Sequence, residues 1–125
     1  MLKNHDSSAI VAVADLERAR RFYGDVLGLE LSDRGTEEGV LVYQTGATQL
    51  VVYQSAYAGT NRANAVVWGV GDDIYEIVAA LEAKGATFEH YPDIGCLDGN
   101  VHMAEGAKLV WLKDPNGNIL HINSM

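Results

Sequence analysis

Four histidines, one cysteine and a scatter of carboxylates are the side chains of this sequence that could do acid–base, nucleophilic or ligand chemistry. His121 stands out among them. It lies in the C-terminal run Lys108-Leu-Val-Trp-Leu-Lys-Asp-Pro-Asn-Gly-Asn-Ile-Leu-His-Ile-Asn123, in an apolar segment whose side chains should alternate between two faces. Ile119, His121 and Asn123 then share one side, and Leu120 and Ile122 the other. A polar pair inside so apolar a strand marks either a wet cavity or an exposed sheet face. In a cavity, His121 would be a neutral imidazole offering one donor and one acceptor. His90, in Phe88-Glu-His-Tyr91, shares its strand face with Phe88. His102 reads as a solvent-exposed loop residue ahead of the C-terminal hairpin, and His5 as an exposed residue near the terminus. No two histidines have the i, i+4 spacing of a helical metal site. Cys96 sits in a Gly-rich loop, Ile94-Gly-Cys-Leu-Asp-Gly99, with no base beside it, which argues against a nucleophile. Glu89 and Glu105 qualify as acids or bases by type alone. There is no Gly-x-Ser-x-Gly elbow, phosphate-cradling loop or dinucleotide fingerprint. Of the aromatics Tyr43, Tyr53, Trp68, Tyr91 and Trp111, Trp68 shares strand parity with Val66 and Val70 and should face a helix. Tyr43 and Trp111, read as occupying matching places in two halves of the chain, are the candidates for stacking a flat or cationic ligand.

The elements that must position these groups follow from periodicity and turn chemistry. Asp114-Pro-Asn-Gly117 separates two apolar segments. Pro115 presets the first corner of a type I turn, and Gly117 tolerates the positive φ that follows, so a hairpin is expected. Earlier, Ser7–Val13 reads as a buried strand and Asp15 as a helix N-cap. Leu16, Ala19, Phe22, Tyr23, Val26 and Leu27 form the apolar stripe of a helix that ends at Gly28. Leu29–Ser32, Val40–Gln44 and Gln49–Gln54 are three strands, separated by a charged loop over Asp33–Gly39 and a Thr45-Gly-Ala-Thr48 turn.

Ser55–Ala63 has no periodicity, and the pattern then restarts. Ala65–Val70 is a strand, and Asp72 or Asp73 caps a helix, with Asp73 and Glu76 spaced as a capping box. Ile74, Ile77, Val78 and Leu81 make its apolar stripe and Gly85 ends it. Thr87–Tyr91 is a strand, followed by a Gly-rich loop and the hairpin. Val13-x-Asp15 stands ahead of Gly28 as Val70-x-Asp72 stands ahead of Gly85, and Leu31 answers to Phe88. A duplicated unit is the economical explanation. It gives an α+β chain of two tandem βαβββ modules, 1–56 and 64–125, joined by a linker over 57–63. Two such halves would leave a concave surface between them, a common place for ligands.

Bulk composition narrows the function. At 125 residues and 48% hydrophobic the chain suffices for one globular domain built of two small halves. A net charge of −8 argues against nucleic acid as a partner. No apolar run is long enough for a membrane span, and no signal core follows the N-terminus. One cysteine cannot close an internal disulfide, which suits a reducing cytoplasm.

The sequence resembles the vicinal oxygen chelate superfamily, which includes glyoxalase I, bleomycin-resistance proteins and extradiol dioxygenases. The residues that carry the likeness are Val13-Ala-Asp-Leu16, Phe22-Tyr-Gly-Asp-Val-Leu-Gly-Leu29, Val70-Gly-Asp72, Leu81 with Gly85, and Trp111-x-Lys-Asp-Pro-Asn-Gly-Asn-Ile119. The resemblance implies that the modules' sheets form an open, incompletely closed barrel-like surface with a cleft. It also implies metal ligands on the first and last strands of each half. Matched position by position, these fall on Ser8, on Val52 or Tyr53, on Ala65 beside Asn64, and on His121. Only His121 among them is a ligand for a divalent ion. The expectation is therefore a protein without the family metal and without another cofactor. It would bind an aromatic or cationic small molecule through Ser8, Tyr43, His90, Trp111, His121 and Asn123, and work as a homodimer in the cytoplasm. The alternatives are a divergent lyase, isomerase or dioxygenase that uses His121, and an accessory module that binds a protein partner.

Overall fold

A computed structural model describes residues 1–33 and 36–125. Residues 34 and 35, inside the charged loop read over Asp33–Gly39, lie outside the described ones. The chain divides into two compact units, Met1–Asn61 and Arg62–Met125.

In the first unit, β1 (Ala9–Val13) leads to a helix whose first turn is capped by Asp15. The Asp15 carboxylate accepts the Glu17 N–H at 3.0 Å and the Arg18 N–H at 3.2 Å, satisfying two donors that have no partner within the helix. The helix is α over Leu16–Arg20 (α1) and widens to a π-helical stretch over Arg21–Val26 that buries Phe22 and Tyr23. Gly28, at φ +74°, ends it. The strands β2 (Glu30–Leu31), β3 (Val40–Thr45) and β4 (Thr48–Gln54) complete a sheet in the order β1-β4-β3-β2, with β1 parallel to β4. Leu41, Tyr43, Leu50 and Val52 form its buried, helix-facing side with Val11 and Val13.

The second unit repeats this plan with one addition. β5 (Asn64–Gly69) is followed by a 3₁₀ turn over Gly71–Asp73 and α2 (Ile74–Ala83). Asp73 occupies the N-cap position without accepting a capping bond. The expected capping box is therefore absent, because the 3₁₀ turn holds Asp73 in helical φ/ψ rather than in the extended conformation a side-chain cap needs. Gly85, at φ +78°, ends the helix as expected. β6 (Thr87–Glu89) pairs with β9 (Ala107–Lys113), and β9 pairs with β10 (Ile119–Asn123), which lies parallel to β5. The stretch read as a Gly-rich loop is in fact a hairpin, β7 (Cys96–Asp98) with β8 (Val101–Ala104), added to the sheet through β8 and β9. The helix-facing core is Ile74, Val78, Leu81, Val101, Val110, Leu112, Leu120 and Ile122. Two mixed sheets, neither closed on itself, make the fold α+β as expected.

The hairpin between β9 and β10 is pinned by Asp114. One carboxylate oxygen accepts the backbone N–H groups of Asn116 and Asn118, each at 2.9 Å, and the other accepts Asn118 Nδ2 at 2.7 Å. The Gly117 N–H reaches the Asp114 carbonyl at 3.0 Å, with Gly117 at φ +82°. The turn expected from Asp-Pro-Asn-Gly is present, and the aspartate is its hub.

Candidate functional site

The cross-strand register of the second unit decides which side chains meet. Trp111 on β9 stands opposite His121 on β10 and opposite Glu89 on β6, while His102 on β8 stands opposite Leu109. Directly opposed residues share a face. Trp111, His121, Asn123, Leu109, His102 and Glu89 therefore lie together on the sheet face that turns away from α2. Val110, Leu112, Leu120 and Ile122 occupy the helix side.

Trp111 is the centre of this face. The His121 ring stacks on its indole at 4.7 Å between centroids and 22° between planes. Tyr91 at 5.1 Å and His102 at 5.0 Å meet it edge-on, both at 90°. Trp111 is only 7% exposed. His121 is fixed from both ends: its Nδ1 lies 3.0 Å from the Val110 carbonyl and its Nε2 3.3 Å from Asn123 Nδ2. A carbonyl only accepts, so Nδ1 carries the hydrogen and Nε2 is left as the acceptor. Asn123 is oriented in turn, because its Oδ1 accepts the Met125 N–H at 3.1 Å. Gly69 allows this closure, since a Cβ there would come within 2.9 Å of the Met125 carbonyl oxygen. A polar hydrogen-bonded pair thus borders a broad aromatic surface, and Glu89 with Lys113, paired at 3.3 Å, adds charge beside it.

The remaining expectations divide. His90 lies at the margin of the cluster, exposed, with Nε2 2.7 Å from Asn100 Oδ1; Asn100 Nδ2 in turn donates to Glu82 at 2.8 Å. Ser8 is exposed, in the segment ahead of β1 of the first unit. Tyr43 corrects the expectation made for it. It is 1% exposed on the helix-facing side of the first sheet, with its ring 6.1 Å from Tyr23. The cause is a one-residue offset. Leu31 stands opposite Tyr43 as Phe88 stands opposite Leu112, so Tyr43 answers to Leu112, and Val42 answers to Trp111. The same offset makes Val51, opposite Ile10, the counterpart of His121, in place of Val52 or Tyr53. The Tyr43 hydroxyl is buried with no hydrogen-bond partner among the described residues. Burial raises its pKa, with Arg20 opposing and Asp25 adding to the shift. Tyr43→Phe is expected to leave stability unchanged or raise it by about 1 kcal/mol in urea unfolding, because the lone hydroxyl is desolvated without return. A loss of that size would show that the hydroxyl has a partner.

His102 is the residue that sequence reasoning misplaced most. It is fully buried, at 0% exposure. Its Nε2 accepts the Tyr91 N–H at 2.9 Å, and among the described residues Nδ1 has no partner in good hydrogen-bonding geometry. Burial lowers its pKa below the ordinary imidazole value, the Leu109 backbone opposes, and the neighbouring His90 charge adds to the lowering.

The positions matched to the family's metal ligands carry one metal-binding side chain, His121. Of the matched positions, Ser8, Val51 and Ala65 carry no ligand for a divalent ion, and His121 is held by Val110 and Asn123. Among the described residues no three His, Cys, Asp or Glu side chains are grouped to hold a metal. Nor is any helix among them long and apolar enough to cross a membrane.

Two small sheets, each with the first strand parallel to the last and a helix over one side, define a recognisable class. Residues 7–122 match the Glyoxalase/Bleomycin resistance protein/Dioxygenase superfamily, and the chain belongs to it. Solved structures share the fold. The fosfomycin resistance protein FosX from Mesorhizobium loti is 12% identical with a TM-score of 0.71, over 100% of this chain and 94% of that one. Lactoylglutathione lyase from Agrobacterium tumefaciens is 19% identical with a TM-score of 0.70, over 95% and 92%. The oxidase ChaP-H2 is 23% identical with a TM-score of 0.67, over 97% and 93%. At these identities the likeness is one of fold, and a resistance protein, a lyase and an oxidase on one fold leave function to the site. No curated protein matches the chain.

Proposed function

We propose that this chain is a small-molecule-binding protein of the superfamily that works without the family metal, and that the Trp111–His121–Asn123 face takes the ligand. The observation that carries the reading is the stacked Trp111–His121 pair, with the imidazole locked in one tautomer beside an oriented amide. A flat aromatic or cationic compound fits such a face: the half-buried His121 ring, backed by the buried indole, supplies a flat polarisable surface, and the Asn123 amide beside it supplies direction. His90 borders the same face, and Tyr43, buried against Tyr23, drops out. The proposal includes a homodimer in the cytoplasm.

The enzymatic alternative, a lyase, isomerase or dioxygenase using His121 as base, rests on Nε2 being the basic nitrogen. That nitrogen faces the Asn123 amide, so a base role requires the amide to move aside. A thermal-shift screen of aromatic and cationic compounds, followed by titration of the hits, tests the binding reading. His121→Ala should fold and bind such a hit more weakly by about 0.5–3 kcal/mol, the cost of a lost hydrogen bond. An unfolded variant together with an empty screen would make His121 structural. A stoichiometric metal that disappears in His121→Ala would overturn the metal-free part.

A further inference from the structure

His102 shares the sheet face of Trp111 and His121 but is not among the residues proposed to meet the ligand, and at 0% exposure it is fully buried. The imidazole has one strong bond, from the Tyr91 N–H to Nε2 at 2.9 Å. Through that bond it holds the segment after β6, and through edge-on contact at 5.0 Å it holds the Trp111 indole. Tyr91 and Trp111 also meet edge-on, at 5.1 Å, so the three rings form a closed set with His121 stacked on the far member. Only the neutral ring can do this, because an imidazolium has donors at both nitrogens and nothing with which to accept the Tyr91 N–H. We propose that His102 is a positioning residue for the Trp111–His121 pair, and that its protonation releases Tyr91 and Trp111 and so makes this face pH-switched.

The surrounding charges do not offset that effect. From the segment after β6 come His90 and, on the strand, Glu89, which is paired with Lys113 on β9. From α2, Glu82 is engaged by Asn100, and from β7, Asp98 accepts the Tyr75 hydroxyl at 3.1 Å. Lys108 on β9 lies over the Tyr75 ring. No carboxylate among the described residues is hydrogen-bonded to the imidazole, and His90 opposes a second positive charge. The folded state therefore favours neutral His102 relative to the unfolded chain. Its contribution to stability is full above about pH 6.5 and is lost as the pH falls from there toward the lower folded value.

The chain has two tryptophans, so Trp68→Phe leaves Trp111 as the only indole. In that background the emission of the ligand-free protein should fall reversibly by about twofold as pH is lowered from 8 to 5, with a midpoint below the ordinary imidazole value of about 6.5 and unchanged far-UV dichroism. His102→Gln, which keeps an acceptor for Tyr91 and cannot be charged, should abolish the transition; His121→Ala should retain it. Survival of the transition in His102→Gln, or its loss in His121→Ala, overturns the proposal. If His102→Gln does not fold, imidazole ¹⁵N spectra of the parent protein decide. The Trp111 indole N–H signal must move with the midpoint of His102, and movement with His90 or His121, or none before unfolding, overturns the proposal. The readout needs no ligand, so its failure is distinct from failure of the binding reading.

Discussion

Trp111→Ala is expected to lower the free energy of unfolding by about 3–5 kcal/mol, the range for removing a large buried aromatic side chain. The indole is almost fully buried and is touched by three rings, with Tyr91 and His102 edge-on and His121 stacked. Its removal strips contacts from all three at once and leaves a cavity on a face where two of the neighbours are polar. For a domain of this size the melting temperature should drop by roughly 10–20 °C. Trp111→Phe, which keeps a ring at the same register, should recover a good part of that. Urea unfolding of both variants by far-UV dichroism measures it. A cost below about 1 kcal/mol, typical of an exposed side chain, would mean that Trp111 does not organise this face.

How much of this was legible in the sequence depended on the range of the signal. Asp15, Gly28, Gly85 and the Asp114–Gly117 turn act within a few residues, and each is where its type demands. The duplication was visible because it repeats those local signals at matching spacing. The parallel pairing of β1 with β4 and of β5 with β10 was not visible, since it joins segments far apart in the chain and leaves no local mark.

The β7–β8 hairpin escaped for a different reason. Its first strand has only Cys96, Leu97 and Asp98, too few for alternation to show, and it lies between Gly95 and Gly99, both at positive φ. The apparent loop therefore hid a strand that buries His102. Tyr43 shows the opposite failure, since the element was correct and the face was wrong. Side chains alternate strictly along a strand, so an offset of one residue exchanges the sheet's two sides. The match of Leu31 with Phe88, carried across the pairing to Tyr43 and Leu112, contained the needed register. His121 and Asn123 share a side by alternation along one strand, whereas Trp111 entered through its match with Tyr43; it is the register set by the turn that brings it opposite His121.

That dependence on the turn makes Asp114→Ala the second large effect expected. The substitution leaves the backbone N–H groups of Asn116 and Asn118 and the Asn118 amide without the carboxylate that receives them at 2.7–2.9 Å. Asp114 and Asn118 are each only 5% exposed, so water does not readily replace the lost acceptor. Hydrogen bonds to a charged group contribute about 1.5–3 kcal/mol each, and because these three share one acceptor their loss should total about 3–5 kcal/mol rather than the full sum. Asp114→Asn keeps one oxygen for the two backbone donors and should cost about 1–2 kcal/mol, with Asn118 turning its amide to meet the new NH₂ group. The larger consequence is geometric. His121 follows the turn along β10, and a slip of one residue in the β9–β10 register would carry His121 to the helix side and Leu120 to the aromatic face. Backbone amide exchange across Leu120–Asn123 in the two variants should therefore rise in the alanine protein well beyond the rise in the asparagine protein. Ligand binding and the contact of His121 with Trp111 should weaken in the same order. Equal exchange in both variants, with a stability loss under about 1 kcal/mol for alanine, would show that β10 holds its register through pairing with β5 and β9 alone.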